Sequence, residues 1–312
     1  MAADDAYQCL TEHDAIWLII LDPSTHLDSP LHCTLLITSL SRYMKDLVDK
    51  FTALPYLWGR PQRTHPMIID GKTFHITASL DSALRRLRDP VRKRQIWADA
   101  ICNNQNDIEE RNQEVGQMGS VYATAEHTVI YLGEGSPETY FLLNRLQSTC
   151  GSAYELAAFC SMAETIKFSK LLLNRPWLKS VWVLQELVLS RDPWIQCGTY
   201  LIQWKELEDY FCYLESSYQL SEPNFFKMVE LRSAHLLALI SPPKTSDAVE
   251  VAKELLDLLI SRRGLGAADP RDVLFAIVHL VISETRLDLE YIINLSVTDE
   301  RWAKWEDWNR PR

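Results

Sequence analysis

Apolar and polar positions change period along this chain, and each period names an element. The runs "IWLIIL" (16–21) and "CTLLI" (33–37) are apolar, rich in β-branched residues and too short for helices, so they read as strands. "FTALPYLWGRP" (51–61) ends another apolar run in a Gly-Arg-Pro turn, and "MIIDGKTFHIT" (67–77) reads as a hairpin around Asp70-Gly71. "SLDSALRRLRDPVRKR" (79–94) fits a helix capped by Ser79 or Asp81 and stopped before Pro90. It feeds the apolar strand "QIWADAI" (95–101), in which Trp97 and Asp99 share one face and Ile96 and Ala98 the other. Next, Ile108, Val115, Met118, Tyr122 and Ala125 recur at helical spacing, with Glu109, Glu110, Asn112 and Gln117 opposite and Asn106 or Asp107 as the cap. "HTVIYLGEG" (127–135) is a further strand. Residues 79 to 133 therefore alternate helix and strand, the signature of an α/β layer on a parallel sheet. From about Ser136 onward the pattern is mostly helical.

Composition narrows the function classes. With 312 residues, 47% of them hydrophobic, the chain can bury one large core or two modest ones. Lys and Arg number 32 against 42 Asp and Glu, a net charge of -10 that argues against nucleic-acid binding. The seven cysteines are scattered without C-x-x-C pairs and imply reduced thiols in a cytoplasmic setting. The acidic start "MAADDAYQCLTEHDA" is unlike a targeting segment, and "AIWLII" and "VLFAIVHLVI" fall far short of the roughly 20 apolar residues of a membrane span. Eight histidines without ligand spacing give no metal site.

Candidate chemistry gathers in two places. Asp99, Cys102, Asn104 and Gln105 lie at or beyond the end of a parallel strand, where ligands of open α/β sheets collect. Asn104 and Gln105 serve equally well as turn and cap residues. Asp99 is more informative, because an acid in an apolar strand is costly unless it is used or paired, for instance with Arg111. For Cys102, with no histidine nearby in sequence, packing outweighs a nucleophilic role. Gly133 and Gly135 do not make a dinucleotide fingerprint: Glu138 stands where the third glycine belongs, and Glu134 would repel phosphate. The basic run "RRLRDPVRKR" reads as a solvated face. The second place is "RPWLKSVWVLQELVLS" (175–190), where Trp182 and Glu186 are four apart on one helix face. Glu186 is there either neutralised by Arg175 or Lys179, or positioned to meet a substrate.

Together, "FTALPYLWG", "IWADAICNNQNDIEERNQEVGQMGSVYATAEHTVIYLGE" and "RPWLKSVWVLQEL" resemble the three blocks of the fungal heterokaryon incompatibility (HET) domain. Pro55, Leu57 and Asn103 depart from the family pattern, whereas Trp58, Gly59, Asp99, Cys102, Asn104, Gln105, Arg111, Trp182 and Glu186 keep it. The resemblance implies a HET domain over 14–190, a mostly helical extension over 191–312, and a role in non-self recognition, innate immunity and programmed cell death. HET domains have been proposed to be remotely similar to TIR domains, which implies a TIR-like or flavodoxin-like parallel sheet flanked by helices. "WVLQEL" is similar to the TIR helix motif Trp-Cys-x-x-Glu-Leu, with Val183 in place of the cysteine, so Glu186 becomes the candidate catalytic residue of an NAD+ glycohydrolase. Trp58, Gly59, Asp99, Cys102, Asn104, Gln105, Arg111, Arg175 and Trp182 would then line the substrate site, with NAD+ as substrate and no metal or further cofactor. On that reading Asp99, Asn104 and Glu186 converge on one concave site. The alternative is a non-enzymatic module that assembles with copies of itself or with other cell-death signalling proteins, with Glu186 a structural partner of Arg175.

Overall fold

The computed structural model describes residues 7, 10, 12–45, 48–103, 108–148, 161–220, 222–240, 257–259 and 276–277, without the side chains of 108–115, 148 and 162. Two compact units are present, one built from Met1–Trp177 and Ser190–Ser221, the other from Leu178–Leu189 and Glu222–Arg312.

The first unit is organised on a nine-stranded sheet. Its strands are β1 (Ala15–Leu21), β2 (Leu31–Ser39), β3 (Thr52–Ala53), β4 (Arg63–Ile69), β5 (Lys72–Thr77), β6 (Arg94–Trp97), β7 (His127–Tyr131), β8 (Pro193–Cys197) and β9 (Tyr200–Gln203), in the order β5-β4-β2-β1-β6-β3-β7-β8-β9. The parallel sheet expected from the sequence forms the block β6-β3-β7-β8, all paired in parallel. Antiparallel neighbours extend it, β1 on β6 at one side and β9 on β8 at the other. Within the block the chain order of the strands is second, first, third, fourth. That is the doubly wound, flavodoxin-like order, whose direction reverses between β3 and β7.

The residues explain these placements. β1 is buried along almost its whole length and lies inside the sheet, as continuous apolar strands do. The β4–β5 hairpin forms where the sequence placed it, with Asp70 and Gly71 both at positive φ (48° and 77°), the conformation a two-residue type I′ turn requires. Nine helices accompany the strands in the two units: α1 (Leu40–Met44), α2 (Ala78–Leu87), α3 (Asp99–Cys102), α4 (Ile108–Thr124), α5 (Pro137–Ser148), α6 (Met162–Leu173), α7 (Val183–Val188), α8 (Trp204–Tyr218) and α9 (Pro223–Ile240) among the described residues. α2 buries Leu80, Ala83, Leu84 and Leu87, and its cap is Thr77 rather than Ser79 or Asp81, the Thr77 hydroxyl accepting from the Leu80 amide at 3.3 Å. On its other face Arg85 and Arg88 donate to the carbonyls of His26, Leu27, Ser29 and Pro30 and fasten the β1–β2 loop. The predicted caps of α4, Asn106 and Asp107, lie outside the described residues.

One expectation is corrected. The strand at 95–101 stops at Trp97, and Asp99 opens the helical turn α3, because the Ile101 and Cys102 amides both turn back to the Ala98 carbonyl (3.0 and 2.8 Å). The alternation of Trp97 with Asp99 on a strand face is therefore lost. The described stretch after Ser136 is mostly helical, as expected, and also holds β8 and β9, runs of five and four residues too short to announce themselves by period alone.

In the second unit all six residues of α7 are buried, and α7 packs against α9. Arg232 of α9, itself buried, donates to the Leu187 and Val188 carbonyls (2.6 and 3.3 Å) and so satisfies groups that a helix C-terminus leaves open.

Candidate functional site

The carboxyl ends of β3, β6, β7 and β8 form one edge of the sheet, and the topological switch point lies on it between β3 and β7. Past the ends of those two strands the backbones stay paired, Tyr56 bridging Tyr131 with the Tyr131 amide on the Pro55 carbonyl at 2.9 Å. Two polar groups flank this point.

The first is centred on Asp99, just beyond β6. Trp58 Nε1 donates to Asp99 Oδ2 at 2.6 Å, and the Ala100 amide donates to Oδ1 at 2.8 Å. The Tyr56 hydroxyl lies beside the same carboxyl without closing a hydrogen bond of normal geometry. Burial pushes Asp99 up to about 6 even though Trp58, the Ala100 amide and Tyr56 oppose it. Burial, followed by the Asp99 charge, also raises the Tyr56 phenol well above its usual range. Trp58 itself is 43% exposed, so its indole is pinned at one edge while its surface faces solvent. Gly59 follows it and faces the first turn of α2, where an added Cβ would stand 3.9 Å from Ser79 Cβ. Cys102 is fully buried: its sulfur accepts from the Ala98 amide and donates to the Ile96 carbonyl, so it packs against the back of β6.

The second group is centred on Glu134, beyond β7. Arg86 of α2 holds its carboxylate with two nearly parallel bonds, Nε to Oε1 at 3.0 Å and Nη2 to Oε2 at 3.1 Å. The Tyr131 hydroxyl donates to Oε1 at 3.1 Å and is itself hydrogen-bonded to the Ser82 hydroxyl at 2.6 Å, and the Tyr140 hydroxyl donates to Oε2 at 2.9 Å. Burial alone would raise this carboxyl, but the donors, led by Arg86 and Tyr140, hold it below the usual range, so it is ionised at neutral pH. Arg175 donates to the Glu134 carbonyl at 2.8 Å and reaches Thr139 Oγ1 at 3.4 Å. The ring of Tyr140 sits in a glycine cradle: a Cβ on Gly135 would stand 2.3 Å from its Cε1, and one on Gly198 2.1 Å from its hydroxyl. The only sequence signal for this group was an acid between two glycines directly after an apolar strand.

In the second unit Trp182 is the N-cap of α7, and the Glu186 amide bonds the Trp182 carbonyl at 3.2 Å, so the two residues do stand one turn apart. Trp182 is part-buried, and Glu186 is buried at 8% exposure. Of the other predicted residues, Asn104 and Gln105 lie outside the described residues, and Arg111 is described only as backbone of α4. The structure thus brings Trp58, Gly59 and Asp99 to one edge of the first unit, with Arg175 in the second polar group on that edge.

The comparisons with known proteins fall on the same segment. The family described as heterokaryon incompatibility protein (HET) matches residues 51–186. Over that segment this chain is similar to the HET family. Heterokaryon incompatibility protein 6, OR allele, of Neurospora crassa is 27% identical over 237 residues, 61% of this chain and 34% of that protein. The chain thus spans about a third of the length of the curated relative it matches. No solved structure matches it. The HET segment contains the predicted site residues together with Ser82, Arg86, Glu134 and Tyr140, while β1, β2, β8 and β9 of the same sheet lie outside it. Among the described residues, no helix is long and apolar enough to cross a membrane.

Proposed function

We propose that this chain acts in fungal heterokaryon incompatibility as a cell-death protein, and that its chemistry is cleavage of the nicotinamide–ribose bond of NAD+. The family match and the incompatibility relative support the first part. The second part is supported by one observation above the rest: a half-buried carboxyl with its pKa near neutrality, Asp99, fixes an exposed indole at the carboxyl edge of a doubly wound parallel block. Such edges take planar, polar ligands. The exposed face of Trp58 would serve as the apolar wall for the nicotinamide ring. Departure of nicotinamide leaves positive charge on the ribose carbon, which a carboxylate stabilises as in glycoside hydrolysis. Glu186 is the candidate for that role by the TIR resemblance.

A second reading is favoured by the burial of α7. With all six of its residues inside and Glu186 at 8% exposure, this helix has the character of a structural element, and the domain would then kill by assembly. Purified protein incubated with NAD+ at low and high protein concentration decides between them. Free nicotinamide that disappears in Glu186→Gln, with stability within about 1 kcal/mol of the parent, supports catalysis by this residue. No nicotinamide from the parent at either concentration removes the enzymatic reading. If Glu186 is a structural acid in a buried pair, Glu186→Gln instead costs about 3–5 kcal/mol.

A further inference from the structure

The glycine-flanked acid after β7 fails every sequence test for a phosphate loop, yet the structure surrounds it with the donors an oxyanion needs. Two nitrogens of Arg86 and the hydroxyls of Tyr131 and Tyr140 converge on the Glu134 carboxylate, with the Ser82 hydroxyl bonded to that of Tyr131 at 2.6 Å. A second guanidinium, Arg175, stands on the same loop, and its Nε is buried without a partner. The four donors on Glu134 fill the four lone-pair directions of a carboxylate, the set that an oxyanion takes. We propose that this donor set is a phosphoryl-oxyanion site and that Glu134 is its internal occupant, displaced when an external phosphoryl group binds.

Three features support displacement. The Glu134 side chain is 47% exposed, so it has solvent to swing into. It is flanked by Gly133 and Gly135, which leave its backbone the freedom to do so. The remaining donors stay anchored: Arg86 and Ser82 sit on α2, Tyr131 on β7, and Tyr140 in its cradle of Gly135 and Gly198. Local charge favours the exchange, since the Arg86 guanidinium faces the carboxylate, that of Arg175 bonds the Glu134 backbone carbonyl, and a phosphoryl group carries more negative charge than the acid it replaces. The place also fits, because Glu134 follows β7 beside the switch point, where α/β sheets bind phosphorylated ligands. None of this depends on NAD+ being cleaved.

Binding of inorganic pyrophosphate and of adenosine diphosphate, measured by calorimetry at fixed ionic strength, tests it in a direction opposite to intuition. Glu134→Gln removes the competing charge while keeping the side-chain shape, and should bind both probes at least about tenfold more tightly than the parent, a gain of about 1.4 kcal/mol. Adding Arg86→Gln to that variant should return both affinities to the parental value or below. Glu134→Asp keeps the charge but retracts it by one methylene. It should also bind more tightly than the parent, and it decides the matter if Glu134→Gln does not fold. Parental or weaker pyrophosphate binding in the folded variant overturns the assignment. So does tightening of adenosine diphosphate alone, because the nucleoside and not the oxyanion would then be recognised.

Discussion

Replacing Gly198 by alanine should damage the Glu134 centre through a single methyl group. Gly198 has φ +53°, in the left-handed region, where a side chain costs about 1–2 kcal/mol. The new Cβ would also stand 2.1 Å from the Tyr140 hydroxyl and 2.9 Å from Glu134 Oε2, distances no packed structure tolerates. Tyr140 must then withdraw, breaking its 2.9 Å bond to the ionised Glu134 and its 3.0 Å bond from the Gly135 amide. A charge-assisted bond contributes about 1.5–3 kcal/mol and a neutral one about 0.5–1.5 kcal/mol. Because the Glu134 side chain is 47% exposed, the lower end of those ranges applies. The total is about 3–4 kcal/mol, which for a unit of this size lowers the melting temperature by roughly 6–16 °C. Gly116→Ala is the internal control: this glycine lies on α4 with nothing within 4 Å of the new methyl, so alanine should stabilise by about 0.5–1 kcal/mol. Tyr140→Phe supplies the second control. It removes the clashing oxygen, so Gly198→Ala should cost less in that background than in the parent, a coupling that a double-mutant cycle reads directly. Gly198→Ala protein melting with the parent, or the same cost in both backgrounds, would refute the assignment of Tyr140 as the link between Gly198 and Glu134.

Three further perturbations separate the remaining parts. Asp99 has its pKa raised from 3.8 to about 6 in the fold, so the folded state binds more protons than the unfolded state between those values. Its contribution therefore destabilises progressively as pH rises through that window, by on the order of 2–3 kcal/mol, and Asp99→Asn should abolish this slope and be the more stable form at pH 7; equal pH dependence of unfolding in parent and variant would count against it. Thr77→Ala removes the acceptor for the Leu80 amide and should cost about 1 kcal/mol in chemical denaturation, whereas Ser79→Ala should cost almost nothing. Arg232→Met strands two carbonyls at the end of α7 and should speed hydrogen exchange in Val183–Val188 ahead of the rest of the second unit; uniform exchange would show that the arginine is not what holds this helix.

Local sequence determined what depends on neighbours along the chain. The Asp70-Gly71 turn, the strand from His127 and the amphipathic helix before it follow from backbone preference and hydrophobic period, which act over a few residues. The HET blocks were equally legible, because they are stretches of contiguous letters. Period could not decide the conformation at Asp99. An apolar run of seven residues suits a strand or a turn of helix, and the Ala98 carbonyl accepting two amides settled it. Nor could it find β8 and β9, whose short runs become strands by pairing with β7 and with each other. The Glu134 centre depended most on tertiary structure. Ser82 and Arg86 come from α2, Tyr131 from β7, Tyr140 from α5 and Gly198 from the turn after β8, separated by tens of residues. In sequence Glu134 is an acid that repels phosphate; in the fold the same carboxylate is ringed by four donors. Charge reads differently in the two cases because an electrostatic environment is set by what lies within a few ångströms in space, and the crossovers of a parallel sheet bring those groups together from distant parts of the chain.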